Sequence, residues 1–453
     1  MHSFIDKHIE TERLLRLSIF FLFTWIVHAG YAGMDMNPDG VLYATIANNM
    51  AQGIGSFWSP YSIFGENGFY HHPPLAFYLQ SLTFLIFGNS FWVDNIYQIV
   101  MLILATWLLC LIWDQSGRKK NGWILLLMFM SMPVVAWSFT NNLLENTVTV
   151  LCLAAVYCQL RAVTAKQGWY WSAASGVIVI AAVLTKGPVG FYPLAALSVL
   201  TWVHHLTLRQ ASLLHLPMLG TFAVVSLALF LYPNSNNAIF EYATHQLVGT
   251  FSGGYSVAHG REYLVLQLIK NIAPAAIICS IFAVRFKCLG NRQSTGWLVI
   301  ALMASLPLLI SPRHFTHYIV PSIPLFALFF ASWLQVGLKH WTINRAGIAS
   351  VVLATTICGS AYYNFSSFGE LEDHVVEIAD LEVLMETIEP GEIVSLCSTN
   401  ESYVLFAYLA RYHAVSYRQD KSRRHLLCKE SLADPNYANT NISLTSTNLY
   451  RRE

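Results

Sequence analysis

A chain of 453 residues in which only 11% carry a charge cannot be covered by a water-facing surface. Soluble domains carry roughly 25% charged residues. Here apolar runs of spanning length follow one another with almost no Lys, Arg, Asp or Glu inside them. Lipid must cover most of the surface, and backbone in lipid must be helical to satisfy its own N–H and C=O groups. The runs 14–33, 91–113, 122–139, 142–160, 170–185, 188–205, 213–232, 263–285, 295–311, 313–335 and 343–360 read as spans. That makes an all-α polytopic membrane protein of about eleven transmembrane helices, up to about thirteen, since re-entrant turns and tilted helices look the same in a sequence.

Lys and Arg set the orientation. Fourteen of them, from Lys7 to Arg345, fall in loops on one side of that layout, whereas segment 34–90 has none. The positive-inside rule then places the N-terminus in the cytoplasm and segment 34–90 outside. The run 14–33 reads as a retained first helix despite the small residues of "HAGYAG". An odd span count carries residues 361–453 outside as well. This tail has a different composition. Helical spacing in "LEDHVVEIADLEVLMETIEPG", strand-like "EIVSLCS", "HAVSY" and "NISLTS", and helical "YVLFAYLARY" read as a small extracytoplasmic α/β domain with nothing that looks catalytic. The expected division is a membrane domain over 1–360 and this domain over 361–453. If the tail lies outside, Cys397 and Cys428 can form a disulfide. The net charge of +1 argues against a strongly basic nucleic-acid binder.

Segment 34–90 is polar enough to leave the bilayer core, yet carries Phe57, Trp58, Tyr61, Phe64, Phe69, Tyr70 and Tyr78. Such rings favour the headgroup region, so short amphipathic helices along the membrane surface are expected. "NPDG" before "VLYATIANNMAQG" is a helix start, with Asp39 placed either to cap it or to face a cavity as a base. In "YHHPPL" the prolines hold His71 and His72 in an extended segment, where adjacent side chains face opposite ways.

These stretches resemble the opening of GT-C type membrane glycosyltransferases, with the aminoarabinose (lipid A) transferases and protein O-mannosyltransferases as models. "NNLLENTVTVLCLAAVY", "LTKGPVGFYPLAAL" and "PRHFTHYIVPSIPLFALFFASWL" continue the resemblance in order, over about residues 14–335. It implies a GT-C fold and inverting transfer of a sugar from a polyprenyl-phosphate donor to a lipid, glycan or protein acceptor, in a bacterial inner membrane with a periplasmic active site. Asp39 matches the first-loop acid beside the transfer site, although Gly40 stands where the family often has Glu. Glu145 matches an acid near the donor sugar. Lys186 matches a contact to the donor phosphate, joined by Arg313 and Tyr318, with His72 where the aminoarabinose enzymes have Lys. Thr250 occupies the position of a phosphate-binding Arg, so that role is absent or has moved, with Arg261 a candidate. His71 and His245 match a metal-binding pair, which makes a divalent metal an option rather than a requirement. The rival class is a transporter of lipid-linked sugars, for which two related halves and mid-membrane polar residues are expected. No internal repeat is visible.

Overall fold

The computed structural model describes residues 2–27, 36–62, 68–117, 121–252, 259–286, 290–337, 374–397, 403–432 and 434–452. Among these, seven helical stretches are long and apolar enough to cross a membrane: Phe91–Gln115, Leu144–Thr164, Trp169–Val203, Leu208–Leu231, Arg261–Ile281, Arg292–Ile310 and Thr316–Gln335. The pair Gly122–Met130 and Pro133–Thr140, bent by 72° at its break, makes eight if it counts as one span. The described residues therefore form an all-α polytopic membrane protein of seven or eight long apolar helices with a small C-terminal β-sheet domain, in place of the eleven to thirteen spans expected.

The physical reasons for the lower count are specific. The runs expected at 170–185 and 188–205 belong to one 35-residue apolar helical stretch, interrupted where Gly187 takes φ +61 and a 3-10 turn follows over Gly187–Phe191. The helix His2–Ile26 has Glu10, Glu12, Arg13 and Arg16 beside its apolar part, too many charges for a spanning window within its described length. The run 343–360 lies outside the described residues. With the count of eleven gone, the parity argument for the side of the C-terminal residues goes too.

Two compact units divide the chain. The first comprises 1–29, 99–140 and 144–368. Its helix Leu144–Thr164 is buried along most of its length. There Gln159 donates to Ser175 Oγ at 2.9 Å and to the Pro193 carbonyl at 2.7 Å, tying three helical segments together where no water can substitute. The broken pair is pinned by Asn271, whose Oδ1 accepts from the Val134 N–H at 2.7 Å, a donor freed by the break.

The second unit comprises 30–98, 141–143 and 369–453. Asn37, not Asp39, caps the helix Pro38–Ala51: its Oδ1 accepts from the Asp39 N–H at 3.0 Å, with Pro38 in the first turn. The helix Tyr403–His413 packs on it, and the Tyr408 hydroxyl accepts from Met36 N–H at 2.8 Å and donates to Met36 C=O at 2.9 Å. Asp94 and Arg411, both fully buried, form an ion pair in which Arg411 Nη2 also donates to the Ser90 carbonyl at 3.0 Å.

The C-terminal sheet has five strands: β3 Ile393–Leu396, β4 Ser416–Arg418, β5 His425–Cys428, β6 Tyr437–Asn439 and β7 Asn448–Arg452, numbered after a two-residue pair at Gly55–Ser56 and Ser59–Pro60. Their order is β4-β3-β5-β7-β6, parallel across β4-β3-β5 and antiparallel beyond. "NISLTS" is not a strand; its Thr445 and Ser446 N–H groups instead donate to the buried Asp380 carboxylate at 2.8 and 2.7 Å. Cys397 and Cys428 are bonded, with Cα atoms 5.1 Å apart.

Candidate functional site

In the first unit the sequence candidates converge on one carboxylate. Glu145 stands in the first turn of Leu144–Thr164 and is 1% exposed. Lys186, at the end of Trp169–Lys186 and 7% exposed, forms a buried ion pair with Glu145 Oε1. His317 reaches the same oxygen, Nε2 to Oε1 at 3.5 Å. Among the described residues Glu145 Oε2 meets no hydrogen-bond partner. The Lys186 ammonium also lies 5.5 Å from the ring centre of Tyr318, within reach of a cation–π contact.

Local structure explains how these groups meet. Lys186 is the last residue before the Gly187 turn, and a Cβ on Gly187 would fall 2.0 Å from the Tyr242 hydroxyl, so only glycine lets the chain pass there. Burial, with Tyr318 nearby, pushes the Tyr242 phenol above its usual range. His317 and Tyr318 lie on the 3-10 helix Thr316–Ser322. His317 lies near-parallel to two rings: Trp137 at 6.2 Å and 18°, and Phe315 at 5.4 Å and 8°. The Arg313 guanidinium lies 5.4 Å from the Phe315 ring. His314 precedes that helix and contacts the His259 carbonyl through Nδ1 at 3.0 Å.

The remaining candidates of this unit lie on other elements. Arg261 is exposed in the first turn of Arg261–Phe286. His245 is 62% exposed on a π-helical turn and pairs with Glu241 Oε2 at 3.0 Å.

In the second unit Asp39 is relieved of capping by Asn37 and accepts a hydrogen bond from the Tyr403 hydroxyl at 3.4 Å. Desolvation and the Asp39 carboxylate both push Tyr403 above the usual phenol range, so it stays protonated and able to donate. Gly40 follows for a steric reason: a Cβ there would sit 2.0 Å from the Asn141 carbonyl oxygen. Asn142, at φ +50, donates to the Gly40 carbonyl at 2.8 Å and accepts from Gln80 and Gln98. Gly40→Ala is thus expected to cost about 1–3 kcal/mol by overpacking, read as a lower thermal midpoint in detergent. An unchanged midpoint would mean that the Asn141 segment gives way freely. His72 contacts the Tyr43 hydroxyl through Nε2 at 3.0 Å, while His71 is exposed beside Phe69.

Among the described residues no group of three His, Cys, Asp or Glu is placed to hold a metal. His71 and His245 offer two imidazoles, and Glu241 already engages the second. Sequence reasoning gave no role to Trp137 or Tyr242 in the first unit, and none to Tyr403 in the second, which lies in a domain that showed no catalytic pattern; His317 was legible by its place directly before Tyr318.

Residues 71–231 match the family described as dolichyl-phosphate-mannose-protein mannosyltransferase. A stretch of 160 residues, 34% of this chain, is 25% identical to undecaprenyl phosphate-alpha-4-amino-4-deoxy-L-arabinose arabinosyl transferase 1 of Proteus mirabilis, and spans only 28% of that relative's length. ArnT from Cupriavidus metallidurans, solved in the apo state and bound to undecaprenyl phosphate, aligns with a TM-score of 0.63 at 14% identity, covering 96% of this chain and 97% of that one. The chain has the fold of ArnT. The Archaeoglobus fulgidus oligosaccharyltransferase, in complex with Zn and sulfate, shares this ArnT-like fold more distantly, with a TM-score of 0.54 at 10% identity over 92% of this chain and 68% of that one.

Proposed function

We propose that this protein is an inverting membrane glycosyltransferase that moves a sugar from a polyprenyl-phosphate carrier to a lipid, glycan or protein acceptor. The observation that carries the reading is the buried Glu145–Lys186 pair with Tyr318 beside it. A buried ion pair in a membrane helix bundle is costly to keep and marks function, and this one presents a cation and a phenol of the kind that hold a phosphate.

The acceptor oxygen attacks the anomeric carbon as the bond from that carbon to the phosphate oxygen breaks. Asp39 takes or orients the acceptor proton, assisted by the hydrogen bond from Tyr403. The departing polyprenyl phosphate already carries negative charge, so it needs cations rather than an acid. Lys186 supplies the first, oriented by Glu145; Arg313 and Tyr318 follow, with Arg261 and His72 as further donors. No step runs through a metal, and none through a nucleotide.

The reading extends to location. The absence of Lys and Arg from segment 34–90 and the Cys397–Cys428 bond support a bacterial inner membrane with that segment and the C-terminal domain facing the periplasm.

The test is label transfer by purified protein in detergent, supplied with radiolabelled polyprenyl-phosphate sugars and a total lipid extract. Label is expected to enter a new product, about a hundredfold more slowly with Asp39→Asn. Donor that binds but stays intact across a broad acceptor panel would favour transport instead.

A further inference from the structure

Lys186 is paired with the buried Glu145, and this poses a problem for any phosphate-binding role. Turning its charge toward a phosphate weakens its hold on a carboxylate that is 1% exposed. A carboxylate left alone there carries a large desolvation penalty. Its second oxygen, Oε2, has no hydrogen-bond partner among the described residues to share that load. Among the described residues, the other cation-forming group within reach of the carboxylate is His317, whose Nε2 lies 3.5 Å from the same Oε1 that Lys186 holds. The imidazole lies near-parallel to the rings of Trp137 and Phe315, and a ring face favours a positive charge.

We infer that His317 is a positioning residue that, as an imidazolium, takes over the charge of Glu145 when Lys186 turns to the phosphate of the lipid donor. This rests on the proposed transferase reading and adds to it a proton-dependent donor affinity. His317 touches neither sugar nor acceptor in this role; it acts through Glu145 on Lys186.

Charged and titratable groups reach His317 from several elements. Pro133–Thr140 and Ile323–Gly337, both packed against its 3-10 helix, contain no titratable residue. Arg292–Ser305 brings Arg292, in its first turn. Leu144–Thr164 brings Glu145 itself, with Cys152, Tyr157, Cys158 and Arg161 further along the helix. Arg261–Phe286 contributes Tyr263, whose hydroxyl is bonded to Thr316 Oγ1 at 2.8 Å, and carries Arg261, Glu262, Lys270 and Cys279. Tyr318 lies against the imidazole, Lys186 shares its carboxylate oxygen, and the Arg313 guanidinium lies 5.4 Å from the Phe315 ring.

The sign follows. At low pH His317 is charged, Glu145 is neutralised and Lys186 is available; as pH rises the imidazolium is lost and Lys186 is drawn back to Glu145. The experiment measures the Kd of a polyprenyl-phosphoryl-mannose, a phosphodiester that does not itself titrate near neutrality, for the full chain in detergent at pH 6 and pH 8. Wild type is expected to bind about tenfold more weakly at pH 8, the effect of one pK unit of coupling. His317→Gln is expected to bind weakly at both values, and His317→Lys tightly at both, with the change in KM rather than kcat. A purely structural histidine would not be replaced by lysine with loss of only the pH dependence. Wild-type affinity that depends on pH while His317→Gln retains the same profile would overturn the inference and leave the transferase reading intact. A wild type that binds the phosphodiester at neither pH would overturn that reading and this inference with it.

Discussion

Lys186→Met is expected to lower the stability of the protein by about 3–5 kcal/mol and to abolish sugar transfer. The stability loss comes from the partner left behind: Glu145 is 1% exposed, at the start of a helix buried along most of its length. A carboxylate there without Lys186 must stay charged at a large desolvation cost or take up a proton. His317, at 3.5 Å, offsets part of this only while it is protonated, so the damage is expected to grow with pH. The double variant Glu145→Gln/Lys186→Met removes both charges and is expected to recover most of the lost stability while remaining inactive. That separation is the point of the experiment. Thermal unfolding in detergent reads the first effect and label transfer the second. A single variant as stable as wild type would mean that Glu145 without Lys186 carries no desolvation penalty; a double variant that transfers sugar would remove Lys186 from the mechanism.

A loss of similar size is expected in the second unit from Arg411→Met. The guanidinium is 1% exposed and the Asp94 side chain 0%. Nε and Nη2 donate to both carboxylate oxygens at 2.9–3.2 Å, and the remaining donors reach Asn89 Oδ1 and the Ser90 carbonyl. The plane also lies 4.8 Å from the Phe84 ring and 5.2 Å from that of Tyr412. Methionine fills much of the volume but takes the donors away from Asp94, the Asn89 amide oxygen and the Ser90 carbonyl, a cost of about 3–5 kcal/mol. Asp94→Leu/Arg411→Met is expected to be more stable than the single variant, because a buried pair is harmful mainly when half of it is removed. Limited proteolysis of the full chain, with cleavage in the C-terminal residues as the readout, checks this; equal resistance of wild type and Arg411→Met would show that the pair does not hold this unit together.

The glycine after Asp39 shows how sequence and structure divide the argument. From the sequence, Gly40 is a departure from the family pattern and a missing carboxylate. In the structure it is the position where the helix Pro38–Ala51 meets the Asn141 carbonyl, with no room for a side chain. Asp39 itself reads from local pattern as a cap, and only the backbone geometry at Asn37 shows that another residue does that work. Glu145 reads equally well as a solvated carboxylate at a helix start; its burial and its pairing with Lys186 need the fold.

The sequence by itself determined the class of the molecule and the positions of most of its helices, because low charge and long apolar runs leave a chain only one way to satisfy its backbone in lipid. It also singled out Lys186 and Glu145 as unusual, since a charge next to an apolar run is costly wherever the run goes. The number of crossings was decided by tertiary structure, through the turn at Gly187 and the 72° bend before Pro133, which hydropathy averages over. So were the pairings. Glu145 meets Lys186 from 41 positions away and Arg411 meets Asp94 from 317. Periodicity reports only which face of a segment turns inward, and the partner waiting there is set by how the segments pack.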